Sequence, residues 1–316
     1  MRVAIVGAGF AGLSVAWHLQ EAGCDVTLFE RKGIGAGASG IATGLIHPYV
    51  GEEGRRSLFA SEGLEAAKAL ITASEEKSGK KILLQKGIIR HIQNEEQRQM
   101  FLSHSQTFAD IRQHGENSFW IDSGMTIDSS LYLEALWETL SEKGVKLLLN
   151  EVSELSSLKG FDQIVVTAGA GVKQFPELSS LPTSLLKGQV LKCQVPKSVA
   201  LPETSSIGKG YVALTQDRTT CVIGSTYERG ELTPTPQPGL AKSRLFPKIA
   251  AFFPAVDQLE VIDCQAAFRV TRHGHYLPLA TRVKDNIWVL TALGSRGLLY
   301  HAYFGKLLAL DLLKMS

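Results

Sequence analysis

Glycine residues near the start of the chain have the types and spacing of a nucleotide-binding loop. Gly7, Gly9 and Gly12 form a GxGxxG pattern, and Glu30 follows at the end of an apolar run. The first glycine permits a tight turn, the second lets backbone approach a pyrophosphate, and the third lets a helix pack closely on a strand. The Glu30 carboxylate would accept hydrogen bonds from ribose hydroxyls. The pattern predicts a dinucleotide site.

Three elements must position these residues. The sequence predicts a strand at 2–6, a helix at 11–22 and a second strand at 25–29, which together form a βαβ unit. The phosphates would lie at the N-terminus of the helix, where free N–H groups and the helix dipole favour negative charge. In this frame the glycine pattern is far more specific than it is alone.

A second glycine-rich segment, residues 35–44, indicates FAD rather than NAD. It follows the acidic strand end directly and continues into Gly44-Leu-Ile-His-Pro48. NAD sites have no general need for such a segment, whereas FAD is longer and its isoalloxazine must be covered by further irregular backbone. By composition alone, a flexible surface loop is the alternative.

The remaining sequence has two textures. Helix and strand patterns alternate over most of the chain, including a helix predicted at 95–114, whereas short strands separated by turn residues follow one another from residue 186. This predicts an α/β protein with a Rossmann-type FAD-binding domain and a second, mainly antiparallel β-sheet substrate domain. We assign residues 1–80, 127–175 and 262–316 to the FAD-binding domain, and 81–126 and 176–261 to the substrate domain.

Charge and cysteine content narrow the function classes. The net charge is +2, so there is no global electrostatic reason to expect a nucleic-acid or membrane partner. The four cysteines are far apart and contain no CxxC pair, so we expect buried free thiols and no metal site. No segment offers the run of about 18 apolar residues that a membrane span needs. We expect a cytoplasmic protein.

The glycine segments and the end of the chain together resemble the D-amino acid oxidase superfamily of FAD enzymes. The matching motifs are Gly37-Ala-Ser-Gly40, Gly44-Leu-Ile-His-Pro48, Val166-Thr-Ala-Gly169, Lys187-Gly-Gln-Val190 and Leu293-Gly-Ser-Arg-Gly-Leu298. Within the superfamily the pattern is most similar to the FAD domain of the bifunctional tRNA 5-methylaminomethyl-2-thiouridine biosynthesis proteins. The resemblance implies a GR2-like βαβ fold, FAD as cofactor and oxidation of an amine or amino acid.

The resemblance also implies which residues bind FAD. They are Gly7, Ala8, Gly9, Ala11, Gly12, Glu30, Arg31, Ala38, Ser39, Gly40, Gly44, Leu45, Val152, Ala168, Gly169, Gly294, Ser295, Gly297 and Leu298. The helix at 298–313 would point its N-terminus at the pyrimidine side of the flavin, where reduction builds negative charge.

An amino-acid substrate requires a carboxylate anchor, and the planar fork of an arginine suits this best. Arg269 and Arg296 are the arginines that the resemblance places beside the flavin, with Arg272 as a substitute or supplement. Four histidines are candidates for proton handling, and three tyrosines could line the substrate face: His47, His273, His275 and His301, and Tyr211, Tyr227 and Tyr276.

Several functions remain open from the sequence. The leading hypothesis is oxidation of the C–N bond of a small amine, an amino acid or an N-substituted glycine-like group, which the tRNA resemblance would place on the carboxymethylaminomethyl group of a wobble uridine. A separate methyltransferase partner would then replace the second half of the bifunctional proteins.

Relatives usually read Arg-x-x-x-x-Asp-x-x-Pro and then Gly near Pro278, and this chain lacks that acid and glycine. A non-catalytic FAD-binding subunit is therefore one alternative, and an oxidase or dehydrogenase of free glycine, a D-amino acid or sarcosine is another. An NAD-dependent dehydrogenase is disfavoured.

Overall fold

The computed structural model describes residues 1–51, 53–230 and 233–315. Residues 52, 231, 232 and 316, which the predicted domain ranges include, lie outside this description. The strands, in chain order, are β1 (Arg2–Val6), β2 (Asp25–Glu30), β3 (Leu45–Ile46), β4 (Leu83–His91), β5 (Ile111–Gly115), β6 (Ser118–Ile127), β7 (Lys146–Leu149), β8 (Gln163–Val166), β9 (Thr183–Gln194), β10 (Ser206–Ile207), β11 (Tyr211–Leu214), β12 (Thr220–Gly224), β13 (Glu260–Arg272), β14 (Leu279–Lys284) and β15 (Ile287–Thr291). The helices are α1 (Phe10–Glu21), α2 (Ala60–Ser78), α3 (Glu95–Thr107), α4 (Ser129–Glu142), α5 (Pro238–Ala250) and α6 (Gly297–Leu313).

The first sheet has the strand order β14-β15-β8-β1-β2-β7. Its strands pair in parallel except for the β14–β15 pair, which is antiparallel. Side chains of β1 alternate between two apolar layers, because Val3 and Ile5 pack against the helices while Ala4 and Val6 pack on the opposite face. Both faces of this sheet are therefore covered, as a parallel sheet requires.

The second sheet has the order β13-β9-β12-β11-β10-β4-β6-β3, with β5 paired to β6. All its neighbours pair antiparallel except β10 and β4. Helix α5 packs on one face of it through Leu245, Phe246 and Ile249, which share a core with Leu191 and Ile223. The α/β class with a parallel sheet and a mainly antiparallel one is confirmed. The division into two domains stays a prediction, and β13 crosses the boundary placed at residue 262.

Some local predictions are wrong. The helix predicted at 95–114 ends at Thr107, and His114 lies in β5 instead. Two of the cysteines, Cys24 and Cys264, are only partly buried. Among the described helices, none is long and apolar enough to cross a membrane.

Candidate active site

The turn between β1 and α1 leaves no room for side chains. Gly7 has φ +108°, and a Cβ there would lie 2.6 Å from the carbonyl oxygen of Thr167. A Cβ at Gly12 would lie 1.9 Å from the carbonyl oxygen of Gly7. Gly9 is the N-cap of α1 and supplies no side-chain cap to the helix, and Ala11 lies in the first turn. The helix N-terminus therefore presents backbone N–H groups, which suits a phosphate.

Glu30 lies beside this turn at the end of β2. Its carboxylate accepts hydrogen bonds from the backbone N–H of Ala8 at 3.1 Å and of Lys32 at 3.1 Å. An ionised carboxylate has about four acceptor sites, so capacity remains for ribose hydroxyls. The next predicted residue, Arg31, forms a surface ion pair with Glu151 at 3.6 Å. Val152 is buried in the core on the far side of the sheet.

The second glycine segment is tied to the first. Ser39 Oγ accepts a hydrogen bond from the N–H of Phe10 at 3.1 Å, and the N–H of Gly35 donates to the carbonyl of Ala8 at 2.9 Å. A Cβ at Gly9 would lie 2.7 Å from Ser39 Oγ, so the glycine makes room for this contact. Ala38, Ser39 and Gly40 are thereby held at the N-terminus of α1, and the segment is not a free surface loop.

This segment then enters the second sheet. Gly44 has φ +76°, and a Cβ there would lie 1.8 Å from the carbonyl oxygen of Ile127. The next residue, Leu45, begins β3 and pairs with Thr126 of β6. The loop therefore runs from the dinucleotide turn to the edge of the antiparallel sheet.

Thr167 closes the turn from the side of β8, a role that the sequence did not indicate. Its hydroxyl donates to the carbonyl of Gly7 at 2.8 Å. Ala168 and Gly169 follow directly, and Gly169 has φ +52°. Since β8 is the parallel neighbour of β1, these residues flank the GxGxxG turn.

The residues present fit FAD. Gly7 to Gly12, Glu30, residues 38–40 and Ala168–Gly169 would hold the dinucleotide part, whose charge matches the helix N-terminus. Gly44, Leu45 and the turn before α6 would hold the flavin part. When bound, FAD supplies the redox chemistry, and the protein supplies orientation and electrostatics.

Arg296 belongs to the 3-10 turn Gly294–Arg296, which precedes α6. The turn approaches β13, because a Cβ at Gly294 would lie 3.7 Å from Thr271 Cγ2. The guanidinium donates to Ser57 Oγ at 3.3 Å and to the carbonyl of Val50 at 3.4 Å. Burial lowers the pKa of Arg296 from its usual value, although an arginine stays charged.

Arg269 reaches the same region from β13. Its Nη2 donates to Ser225 Oγ at 2.8 Å, and its guanidinium lies over the ring of Tyr227, 5.2 Å from the centroid. Arg296 stacks over a different ring, that of Tyr276, at 4.5 Å. The turn that carries Arg296 packs against Val270 and Thr271, which follow Arg269 in β13. The two arginines therefore belong to elements that pack against each other.

Tyr211 connects this pair to the second glycine segment. Its hydroxyl interacts with the side chains of Thr43 and Ser225, and burial raises the pKa of the Tyr211 hydroxyl. Because Thr43 precedes Gly44, Arg269 lies near the loop that would cover the flavin. Among the described residues, no group of three or more His, Cys, Asp or Glu side chains could hold a metal ion.

The family model for FAD dependent oxidoreductases matches residues 2–310 of the chain. The chain belongs to this family. FAD is therefore its cofactor, as the glycine segments predicted. The oxidoreductase shares its fold with glycine oxidase from Geobacillus kaustophilus, at a TM-score of 0.83 and 20% identity over 100% of this chain and 95% of that one.

The matches to curated relatives cover a smaller share of the relatives' length. The oxidoreductase is 25% identical to a D-amino-acid oxidase of Rubrobacter xylanophilus, covering 86% of this chain and 83% of the relative. It is 25% identical to the tRNA 5-methylaminomethyl-2-thiouridine biosynthesis bifunctional protein MnmC of Marinobacter nauticus, over 97% of this chain. The chain spans only 54% of that protein's length, and 21% of the length of a third relative.

The four candidate histidines of the oxidoreductase fall into two groups. His47 and His301 are buried, and burial lowers their pKa values to about 3 and about 4, so both are neutral near pH 7. His301 accepts from the hydroxyl of Tyr132 at 2.8 Å and contacts the carbonyl of Leu298 at 3.0 Å, which occupies both ring nitrogens. His273 and His275 are exposed in the turn between β13 and β14. This arrangement argues against His301 as a proton donor.

Arg272 does not share the face of Arg269. The register of β13 against β9 is continuous from Asp263 to Arg272, so side chains three positions apart point to opposite faces. Sequence reasoning overlooked Ser225 and the role of Gly188. A glycine inside a strand is the one signal that could have indicated the latter.

Proposed function

We propose that this oxidoreductase oxidises the C–N bond of an amino acid or an N-substituted glycine, whose carboxylate is bound by Arg269 and Arg296. The observation that carries the proposal is the packing of the turn Gly294–Arg296 against Val270 and Thr271 of β13, the strand that carries Arg269. A pair of cations beside a flavin site is what a small anionic amine requires for orientation.

The partners of these arginines support an anionic ligand. Within the described residues, both guanidinium groups donate to hydroxyl and carbonyl oxygens, and neither is paired with a carboxylate. Both side chains are partly buried, so their charge is incompletely solvated. A substrate carboxylate would restore the missing charge balance.

The reaction converts C–N to C=N, so the substrate loses two electrons and two hydrogens. The FAD of this family accepts the electrons. The chain's own residues hold the carboxylate and keep the reacting carbon in one orientation.

A second candidate substrate is the same chemical group on a tRNA wobble uridine. Tyr227 and Tyr276 lie beside the two arginines with 58% and 72% of their surface exposed. Exposed aromatic rings next to cations suit an unpaired nucleobase, which stacks on them. The similarity to MnmC favours this candidate, while the near-neutral net charge favours a small molecule.

An anaerobic screen of flavin absorbance tests the proposal. The purified protein is mixed with glycine, sarcosine, a D-amino acid or undermodified tRNA, and bleaching at the flavin maximum is followed. We expect bleaching by at least one of them, and none by the matching amines without a carboxylate. Bleaching by tRNA alone selects the second candidate. Stable flavin colour with every compound would contradict both candidates and favour a non-catalytic flavoprotein.

A further inference from the structure

Arg269 lies directly over a glycine of the neighbouring strand. In the register of β13 against β9, Ala267 is opposite Gly188 and Arg269 is opposite Leu186. Gly188 is therefore a diagonal neighbour of Arg269 on the same face of the sheet, within reach of a long side chain. Glycine in a strand interior often marks a place where another group approaches closely.

The approach is so close that a side chain at position 188 would displace the guanidinium. A Cβ built at Gly188 would lie 2.4 Å from Arg269 Nη1, 2.7 Å from Cζ and 2.7 Å from Nη2. Ordinary contacts between such atoms are about 3.5 Å or longer, so the guanidinium would have to move by roughly 1 Å. Gly188 has no positive φ, so its backbone conformation does not explain the glycine.

Two further contacts hold the guanidinium. Ser225 Oγ accepts from Nη2 at 2.8 Å on one edge, and the Tyr227 ring lies 5.2 Å from Cζ. Ser225 is itself buried and interacts with Tyr211. The guanidinium plane is thus bounded by backbone, a hydroxyl and an aromatic ring, which leaves its remaining N–H groups for a ligand.

We infer that Gly188 is a positioning residue for substrate binding, and that Gly188, Ser225 and Tyr227 form a seat that fixes the Arg269 fork. The inference rests on the proposed function, in which Arg269 binds the substrate's carboxylate. A fork that must present two parallel N–H groups tolerates little displacement, because misplacement of about 1 Å can cost as much as a hundredfold.

The first test is Gly188→Ala, with the substrate identified by the absorbance screen. The new methyl group meets only the flexible end of the Arg269 side chain, so the protein can still fold and retain FAD. We expect KM to rise about ten- to a hundredfold with a smaller change in kcat. The matched control is Gly239→Ala on α5, where a Cβ meets no atom within 4 Å. Wild-type KM in Gly188→Ala would overturn the inference.

A double-mutant cycle separates positioning from general damage. Lysine has no fork, so Gly188→Ala should have little further effect on KM in an Arg269→Lys background. If the KM changes of the two single variants multiply in the double variant, Gly188 does not act through Arg269, and the inference is overturned. Ser225→Ala should raise KM. Ser225→Thr should keep KM near the wild-type value, because threonine keeps the hydroxyl.

Direct binding provides a readout apart from turnover. Glycolate, a carboxylate without an amine, is titrated while the absorbance of the bound flavin is followed. We expect saturable binding to wild type and at least tenfold weaker binding to Gly188→Ala. If wild type responds neither to glycolate nor to any amine in the screen, the proposed function fails. If wild type binds and Gly188→Ala binds equally, only the inference about the seat fails.

Discussion

Arginine and lysine carry the same charge, yet only arginine can present two parallel N–H groups to a carboxylate. If Arg269 is the anchor, Arg269→Lys should weaken substrate binding by about 1.5 to 3 kcal/mol, roughly ten- to a hundredfold. FAD content should not change. Stopped-flow bleaching at increasing substrate concentration measures the apparent affinity, with exposed Arg282→Lys as the control. Wild-type affinity in Arg269→Lys would place the anchor elsewhere.

Glu30 contacts the dinucleotide turn and is predicted to bind the ribose as well. Its carboxylate holds the N–H of Ala8 in the dinucleotide turn, and we expect it also to accept ribose hydrogen bonds. Glu30→Ala should therefore weaken FAD binding by about 2 to 3 kcal/mol. Titration of FAD into deflavinated protein gives the affinity, and Glu62→Ala, exposed on α2, is the control. Unchanged affinity in Glu30→Ala would refute the assigned ribose contact.

At the scale of elements, α6 is the part that must be placed most accurately, because Arg296 lies in the turn directly before it. Gly305 allows α6 to approach α1, since a Cβ there would lie 2.2 Å from Ser14 Oγ and 3.0 Å from Ser14 Cβ. The Ser14 hydroxyl also donates to the carbonyl of His301 at 2.9 Å. One small residue thus sets the distance between the two helices whose N-termini are predicted to face the cofactor.

Gly305→Ala should therefore destabilise the protein although alanine is the better helix former. Overpacking and the disturbed hydrogen bond of Ser14 outweigh the gain in helix propensity, which leaves a net loss of about 1 to 3 kcal/mol. Urea unfolding of the FAD-loaded protein measures the change. Gly239→Ala, a helical glycine with open space around it, should be neutral within about 0.5 kcal/mol. Equal stability of the two variants would contradict the packing argument.

For the whole molecule, buried histidines make stability depend on pH. Burial, Arg90 and Arg296 lower the pKa of His47 from 6.5 to about 3. Because the folded pKa is depressed, the unfolded state binds the proton first as pH falls below 6.5. Stability is therefore present near pH 7 and is lost progressively between 6.5 and about 3. His301, with a pKa of about 4, contributes in the same direction.

His47→Gln removes the proton that the unfolded state would bind at residue 47. The slope of the free energy of unfolding against pH, between pH 6 and 4, should become shallower by about 1.4 kcal/mol per pH unit. Urea midpoints of the FAD-loaded protein at several pH values provide the slope. His275→Gln, at an exposed histidine, is the control. An unchanged slope in His47→Gln would show that His47 does not titrate differently in the folded state.

The sequence alone determined the dinucleotide turn, because its requirements are local. Gly7, Gly9 and Gly12 lie within one turn, and Glu30 follows after one helix and one strand, so spacing along the chain is enough to predict their association. The α/β class and the FAD cofactor follow from the same local patterns and the second glycine segment. The comparison with the family confirms both.

The surroundings of Arg269 and Arg296 could be known only from the tertiary structure. Ser225 and Gly188 approach Arg269 through strand pairing, and the turn Gly294–Arg296 packs against Val270 and Thr271 of β13. No periodicity in the sequence specifies register between strands far apart in the chain. The helix predicted at 95–114 failed for a related reason, since the polar residues of β5 become a strand only by pairing with β6. Local geometry was enough to predict where the cofactor binds, whereas long-range pairing determined what surrounds the arginines.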